Sequence, residues 1–365
     1  MKKMRILLIS YGNLDYDGRL RSLISVFGRL GIVYSYTRGS QPITCHGVVS
    51  DLPYVLFIID SIEYASKQKD IDVLVIDNRK ATIPGMIIKR LIKPQCTIQD
   101  CRELYLINEV KHFASKLGCF FEKKMFKRAD VIICANKERA TIMKKKYKLQ
   151  ETPLVYENLR QLKYSSDDNI QTIADKFREY INEDEIRIIS TSGCSINRTN
   201  DVLVKNLINV NRRCRLFLVG SSDSKDENII RHIVSRDKVN SVTILGQLKQ
   251  GELKYLISQC HIGIVNYGQY DTNNKYCASG KLYEFLYEGI PVVTTTNPPL
   301  KRLCDEAHIG VADDLYFNGI NSVMNDYVKY KTNVINFAHD HTIKENDDGF
   351  VGKIEKHLRM LTHRI

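Results

Sequence analysis

The chain has 365 residues, 43% apolar and 26% charged, with a net charge of +12 and ten cysteines. That length suits two domains and that composition a globular fold in water; no apolar run reaches the length of a membrane span. The cysteines form no CxxC pair, so they read as reduced, buried thiols and not as zinc ligands.

Short apolar runs alternate with helical patterns along the first half, which marks a parallel α/β sheet. MRILLIS (Met4–Ser10) is the first strand: it passes into YGNLDYDGRL with no small-residue cleavage site, so it is not a signal peptide. Asp17 is placed to cap a helix starting near Gly18, and this helix start, with Arg19 in its first turn, is a candidate contact for phosphate or a second substrate. VYSYT, DVLVID, CTIQD, VIICAN and PLVYEN read as further strands. TIPGMIIKRLIK, residues 103–128 and KERATIMKKKYK read as helices. Residues 164–185, polar and acidic, read as an inter-domain connection.

The alternation then restarts. IRIISTSG, CRLFLVG, VTILGQ and HIGIVNYG are strands that end in the glycine turns of Gly193, Gly220, Gly246 (followed by Gln247) and Gly268. Ligands of open parallel sheets bind at such strand ends, and glycine lets backbone approach them closely. Helices separate these strands, and after Gly310 polar helices lead to a basic final helix. The boundaries expected are 1–163, a linker over 164–185, 186–345, and a C-terminal helix over 346–365 that returns to the first domain. The fold class is α/β: two Rossmann-like domains facing a cleft.

One stretch stands out, NKYCASGKLYEFLYEGIPVVTTTNP (Asn274–Pro298). Ser279 and Gly280 open a helix with Leu282, Phe285 and Leu286 on its apolar face. Gly289 ends it, and the β-branched run after Pro291 suits a buried strand. A helix start with small residues offers free N–H groups to a diphosphate. A carboxylate one turn further in, Glu284, can accept from vicinal hydroxyls such as those of a ribose. Spacing alone leaves open an ordinary amphipathic helix whose Lys281 and Glu284 face water. No GxGxxG follows a strand and no GxxxxGK[ST] occurs, which disfavours a dinucleotide dehydrogenase and a P-loop nucleotidase.

KLYEFLYEGIPVV resembles the nucleotide-sugar signature of glycosyltransferases of the GT-B fold, and within them the enzymes that build bacterial capsules, O-antigens and exopolysaccharides. FLVG and VTILGQLKQGELKYLISQCHIGIV resemble the wall of that family's base pocket, and IQDCRELY resembles its D-x-H-E stretch, with Arg102 where histidine is common. FFEKKMFKRADVIICANKE resembles the segment that follows, and Asn158 matches the asparagine that closes the first domain. The resemblance implies that Glu284 holds the donor ribose and that the helix start (Ser279, Gly280) holds the pyrophosphate. The glutamate common eight residues earlier is replaced by Tyr276. A retaining transfer is also implied by the resemblance.

Cationic side chains can carry the leaving diphosphate without a metal. Arg198, after the Gly193 turn, and Lys281 are the candidates; the alternative for Arg198 is a solvated loop residue. Asp100 and Arg102 are candidates to orient the acceptor or act as base. The alternative is an N-cap at Asp100 with a capping box completed by Glu103. Asp15-Tyr16-Asp17 and Asp70-Ile71-Asp72 match D-x-D, but neither sits at the strand end where that metal motif belongs, so no metal and no cofactor are expected.

Charge divides unevenly. Met1–Lys163 holds 29 Lys/Arg against 16 Asp/Glu, a net of +13, and the remainder 25 against 26, a net of −1. No DNA- or RNA-binding signature accompanies the basic half, which points away from nucleic acid and towards anionic lipid. The basic stretches 79–93, 123–128 and 137–148 are the docking candidates, with solvated helix faces as the alternative. The expected protein is a cytoplasmic glycosyltransferase, peripheral at the inner membrane face, with a nucleotide-sugar donor and a glycan or lipid-linked acceptor. A nucleotide-sugar epimerase of the same fold and a non-catalytic nucleotide-sugar or glycan binding subunit are the alternatives.

Overall fold

A computed structural model describes residues 3–236 and 241–362, which form two compact units. The first comprises residues 1–158 and 343–365, the second 159–342.

The first unit is built on a parallel sheet of β1 (Met4–Asn13), β2 (Gly31–Arg38), β3 (His46–Val49), β4 (Val73–Asp77), β5 (Cys96–Cys101), β6 (Val131–Cys134) and β7 (Leu154–Val155). Its order is β3-β2-β1-β4-β5-β6-β7. The central strands read as continuous apolar runs because both faces are covered: Ile6, Leu7, Leu8 and Ile9 are all fully buried. Sequence reading missed β3, half exposed at the sheet edge, and helix Tyr54–Ser66, whose apolar residues run all round its surface. The helix expected over 103–128 spans only Phe113–Phe126, and residues 102–112 form a loop.

The chain returns to this unit through helix Ile343–Thr362. Phe350 packs edge-on against Phe27 and 4.5 Å from the Tyr156 ring, and Ile354 joins the same core. Tyr156 Oη donates to Asp347 Oδ1 at 2.7 Å.

The second unit repeats the plan. Its strands are β8 (Ile186–Ser190), β9 (Cys214–Val219), β10 (Val242–Leu245), β11 (Ile262–Val265), β12 (Val292–Thr294) and β13 (Gly310–Ala312). They run parallel in the order β10-β9-β8-β11-β12-β13. The stretch read as a connection is part of this unit. Its polar composition hid an apolar pair one turn apart, Ile173 and Phe177 of helix Ile170–Phe177, and both lie in the core.

Each sheet is wound outward in both directions from its first strand, so each has a switch point, between β1 and β4 and between β8 and β11. The carboxyl ends of strands at such a point are where open α/β sheets hold ligands. The candidate site residues described next gather around these ends.

Candidate functional site

In the second unit, the helix Gly280–Tyr287 follows a loop anchored at both ends of the Asn274–Pro298 stretch. Asn297 Nδ2 donates to the carbonyls of Asn274 and Lys275 at 2.9 and 3.3 Å. Asp271 caps the short turn before it. The helix end is a Schellman motif: Gly289 at φ +72° donates to Leu286 O at 3.0 Å and Ile290 donates to Phe285 O at 3.2 Å. Its start has no side-chain cap, because Ser279, although buried, does not reach back to the helix N–H groups.

The polar face of this helix does not face water. Glu284 is only 4% exposed. Among the described residues its one ion pair is with Arg160 Nε, 3.3 Å from Oε1, and Arg160 itself is half exposed. Burial raises the Glu284 pKa, while Arg160 and Lys281 pull it down. Burial and the neighbouring Arg198 lower the Lys281 pKa to about 8, against the opposing pull of Glu284. Lys281 Nζ donates to Thr191 O at 2.5 Å. Glu288, on the same face, pairs with Lys254 and supports the helix.

The β8 turn closes on this helix. Gly193 sits at φ +59°, and a Cβ there would lie 2.6 Å from Ser221 O. Gly193 N donates to Val219 O at 2.8 Å, which stitches the turn to the end of β9 at Gly220. Gly246 and Gln247 follow β10, and Ser221 Oγ lies 3.3 Å from Gln247 Oε1. Asn200 Nδ2 donates to Gly193 O at 2.8 Å, and Asn266 Nδ2 donates to Asn200 Oδ1 at 2.8 Å, so a buried amide pair ties the turn to the end of β11. Arg198 is no solvated loop residue. Its guanidinium stacks 3.8 Å from the Tyr267 ring centroid, and its Nη1 is buried without a hydrogen-bond partner, as is Thr191 Oγ1.

Buried orphan donors need a partner, so this turn and helix start are a candidate site for an anion. Arg160 and Lys281 stand beside the Glu284 carboxylate, and Arg198 stands beside Lys281. Sequence reading missed Arg160, assigned to the other domain, and the Asn200–Asn266 pair. The legible trace of that pair was a polar residue closing the apolar run of β11.

In the first unit the candidates form a buried charge cluster at the ends of β1, β4 and β5. Asp77 is reached by Ser10 Oγ and by two nitrogens of Arg102, and Arg102 Nη1 pairs with Asp17. Asp17 also caps the helix Gly18–Leu30, Oδ1 accepting from Leu20 N at 3.0 Å. Arg19 does not point to an open rim: it is buried, and its Nη1 donates to Tyr156 O at 2.8 Å. Asp100 is fully buried inside β5, thirteen positions before the next helix starts at Phe113, so it is no helix cap. Arg19 takes both its oxygens, and Arg102 Nε lies 3.6 Å away. Burial pushes the Asp77 pKa up to about 6, with Arg102 opposing and Asp100 adding to the rise. The least buried members are Arg102 and Asp17.

Both D-x-D pairs serve the fold: Asp15 binds Ser40 N and Oγ, and Asp72 Oδ2 accepts from Arg5 N. Among the described residues no group of three or more His, Cys, Asp and Glu side chains is placed to hold a metal ion.

No protein-family model matches the chain, and no curated protein matches it either. Solved structures do. The Anabaena HepE protein, crystallised with UDP and glucose, matches with a TM-score of 0.71 at 15% identity, over 98% of this chain and 100% of that one. Sucrose-phosphate synthase from Thermosynechococcus elongatus matches with a TM-score of 0.70 at 15% identity, over 99% and 100%. A UDP-N-acetylglucosamine 2-epimerase matches with a TM-score of 0.58 at 11% identity, over 97% and 96%. With two Rossmann-like units in this topology and these matches along nearly its whole length, the chain has the GT-B fold.

Proposed function

We propose that the protein is a glycosyltransferase that moves a sugar from a nucleotide-sugar donor to a glycan or lipid-linked glycan in bacterial surface polysaccharide synthesis. The observation that carries this reading is Glu284: a carboxylate buried one turn inside an uncapped helix start, with Lys281 beside it and Arg198 beside Lys281. Hydroxyls of a ribose suit the carboxylate, and a diphosphate suits the cations and the free N–H groups. In this reading the second unit binds the donor through Gly193, Gly220, Gly246, Gln247, Ser279 and Gly280 as well. Departure of the nucleoside diphosphate is stabilised by these cations without a metal. The sequence resemblance supports a retaining outcome and the polysaccharide setting. HepE, crystallised with UDP and glucose, supports the donor class.

We place the acceptor on the first unit, with Arg102 and Asp17 as the members of its charge cluster that reach solvent. Peripheral membrane contact at the inner face is part of the proposal. Its support is a run of neighbouring helices, Tyr54–Ser66, Thr82–Ile92 and Phe113–Phe126, that expose Val55, Ile59, Leu91, Phe113 and Phe120 among lysines and arginines. Among the described residues no helix is long and apolar enough to cross a membrane.

The epimerase match keeps a second reading of the same fold, epimerisation of a nucleotide-sugar. That chemistry asks for free acid and base groups near the sugar, and Asp17, Asp77 and Asp100 are all tied to arginines. The test is titration calorimetry of UDP, GDP, ADP and CMP against the protein and its Glu284→Ala variant. One nucleotide binding tightly, and losing that binding in the variant, supports the donor site; binding of none refutes it. Incubation of the matching nucleotide-sugar without acceptor then separates the two activities, since only an epimerase converts it to the epimer.

A further inference from the structure

Arg160 stands against the carboxylate that the proposed ribose needs. Its Nε lies 3.3 Å from Glu284 Oε1, and it opens the second unit one residue after its boundary at Leu159. A carboxylate accepting from two vicinal hydroxyls uses both oxygens, so the guanidinium and the ribose compete for Oε1. The guanidinium is half exposed, and among the described residues Glu284 is its one ion-pair partner, so the side chain can turn about its long stem. Lys281 lies within electrostatic reach of Arg160, Arg198 and Glu284 together, and the three cations exceed the one carboxylate by two charges. A diphosphate matches that excess, and a bare nucleoside does not.

We infer that Arg160 is a specificity-determining residue that makes the site select nucleoside diphosphates over nucleosides. Phosphate oxygens draw the guanidinium from Glu284, and that move uncovers the carboxylate for the ribose. A nucleoside has nothing to offer Arg160 and must displace it uncompensated. The inference rests on the donor reading of this site. Arg160 acts by moving between two anions, so its effect on the two ligands has opposite sign.

The test is calorimetric titration of UDP, GDP, ADP and CDP and of their parent nucleosides against the wild type, Arg160→Met and Arg160→Lys. Loss of a charged hydrogen bond predicts that Arg160→Met binds the preferred diphosphate about tenfold more weakly or worse. The same variant binds the parent nucleoside several-fold more tightly, on the order of the half-exposed ion pair it removes. Arg160→Lys, with a point charge and no planar fork, falls between. Equal weakening of both ligands, or no change in either, overturns the role of Arg160 while leaving the donor site standing. Failure of every diphosphate to bind the wild type overturns the donor site, and this inference with it.

Discussion

Arg19 and Asp100, 81 residues apart in sequence, meet in a two-point ion pair beneath the carboxyl end of the first sheet, Nη2 to Oδ1 at 2.8 Å and Nε to Oδ2 at 3.2 Å. Neither side chain is more than 7% exposed. A buried pair of this kind holds elements together: it locks the helix after β1 to the end of β5. Its partners are worth little singly, because each leaves the other charge stranded. Asp100→Ala is therefore expected to destabilise the first unit by about 3–5 kcal/mol. The double variant Arg19→Met/Asp100→Leu is expected to recover most of that loss, since an apolar pair of similar volume costs little against a buried ion pair. Urea unfolding read by tyrosine fluorescence checks both. A drop confined to activity, with unchanged unfolding midpoints, would assign Asp100 a chemical role instead.

Lys281 gives the proposed site a pH dependence. Its pKa in the folded chain is about 8, below the ordinary 10.5, because burial and Arg198 disfavour the charged form. The unfolded chain therefore holds this proton more tightly, so the penalty is fully present below pH 8. Stability contributed by this group rises between about 8 and 10.5. Anion binding has the opposite sign. A diphosphate wants the ammonium, so its affinity is expected to fall across the same window, by up to about tenfold per pH unit. Lys281→Met should bind the diphosphate more weakly at pH 7 and lose that slope. A slope that persists in the variant would assign the titration elsewhere.

The parts of this fold that could be read in the sequence are those where one local rule governs. DVLVID and VIICAN are buried on both faces, so composition alone marks them, and Gly289 marks a helix end because only a residue tolerant of positive φ fits there. Glu284 was legible because the small residues before it and the apolar positions around it fix its place in the helix. What could not be read depends on partners far apart in sequence. Nothing near Asp100 announces Arg19, and nothing near Arg160 announces Glu284, 124 positions later. Helix Tyr54–Ser66 escaped for a different reason: Val55, Leu56 and Ile59 are apolar yet exposed, so the polar face that defines an amphipathic pattern is missing.

Gly193 shapes the turn between β8 and the proposed anion site. At φ +59° an alanine pays for a left-handed backbone, and its Cβ would meet Ser221 O at 2.6 Å. Gly193→Ala is expected to cost about 1–3 kcal/mol of stability in the second unit and to weaken nucleotide binding further by shifting Thr191. Gly246→Ala is the control, because nothing lies within 4 Å of a Cβ there. Thermal unfolding of the two variants should separate them clearly. Equal stability would show that the turn adapts and does not hold the site.

The exposed apolar side chains of the first unit make a sharper case for a membrane than its charge does. Phe113, Leu117 and Phe120 recur on one face of their helix, and Phe113 is 79% exposed. Lys116, Lys123 and Lys124 flank them. Burying one such phenylalanine in the acyl boundary contributes about 1.5–3 kcal/mol, and each lysine near an anionic surface about 1 kcal/mol. Neither kind of contact suffices alone. The protein should therefore sediment with vesicles containing phosphatidylglycerol, less so with pure phosphatidylcholine, and less at high salt. The triple change Phe113→Ser/Leu117→Ser/Phe120→Ser should abolish sedimentation at every salt concentration, whereas Lys123→Glu/Lys124→Glu should weaken it most at low salt. If the serine variant binds as the wild type does, the apolar face is not the docking surface and charge alone holds the protein to lipid. If the wild type stays in the supernatant with both vesicles, peripheral membrane contact is refuted.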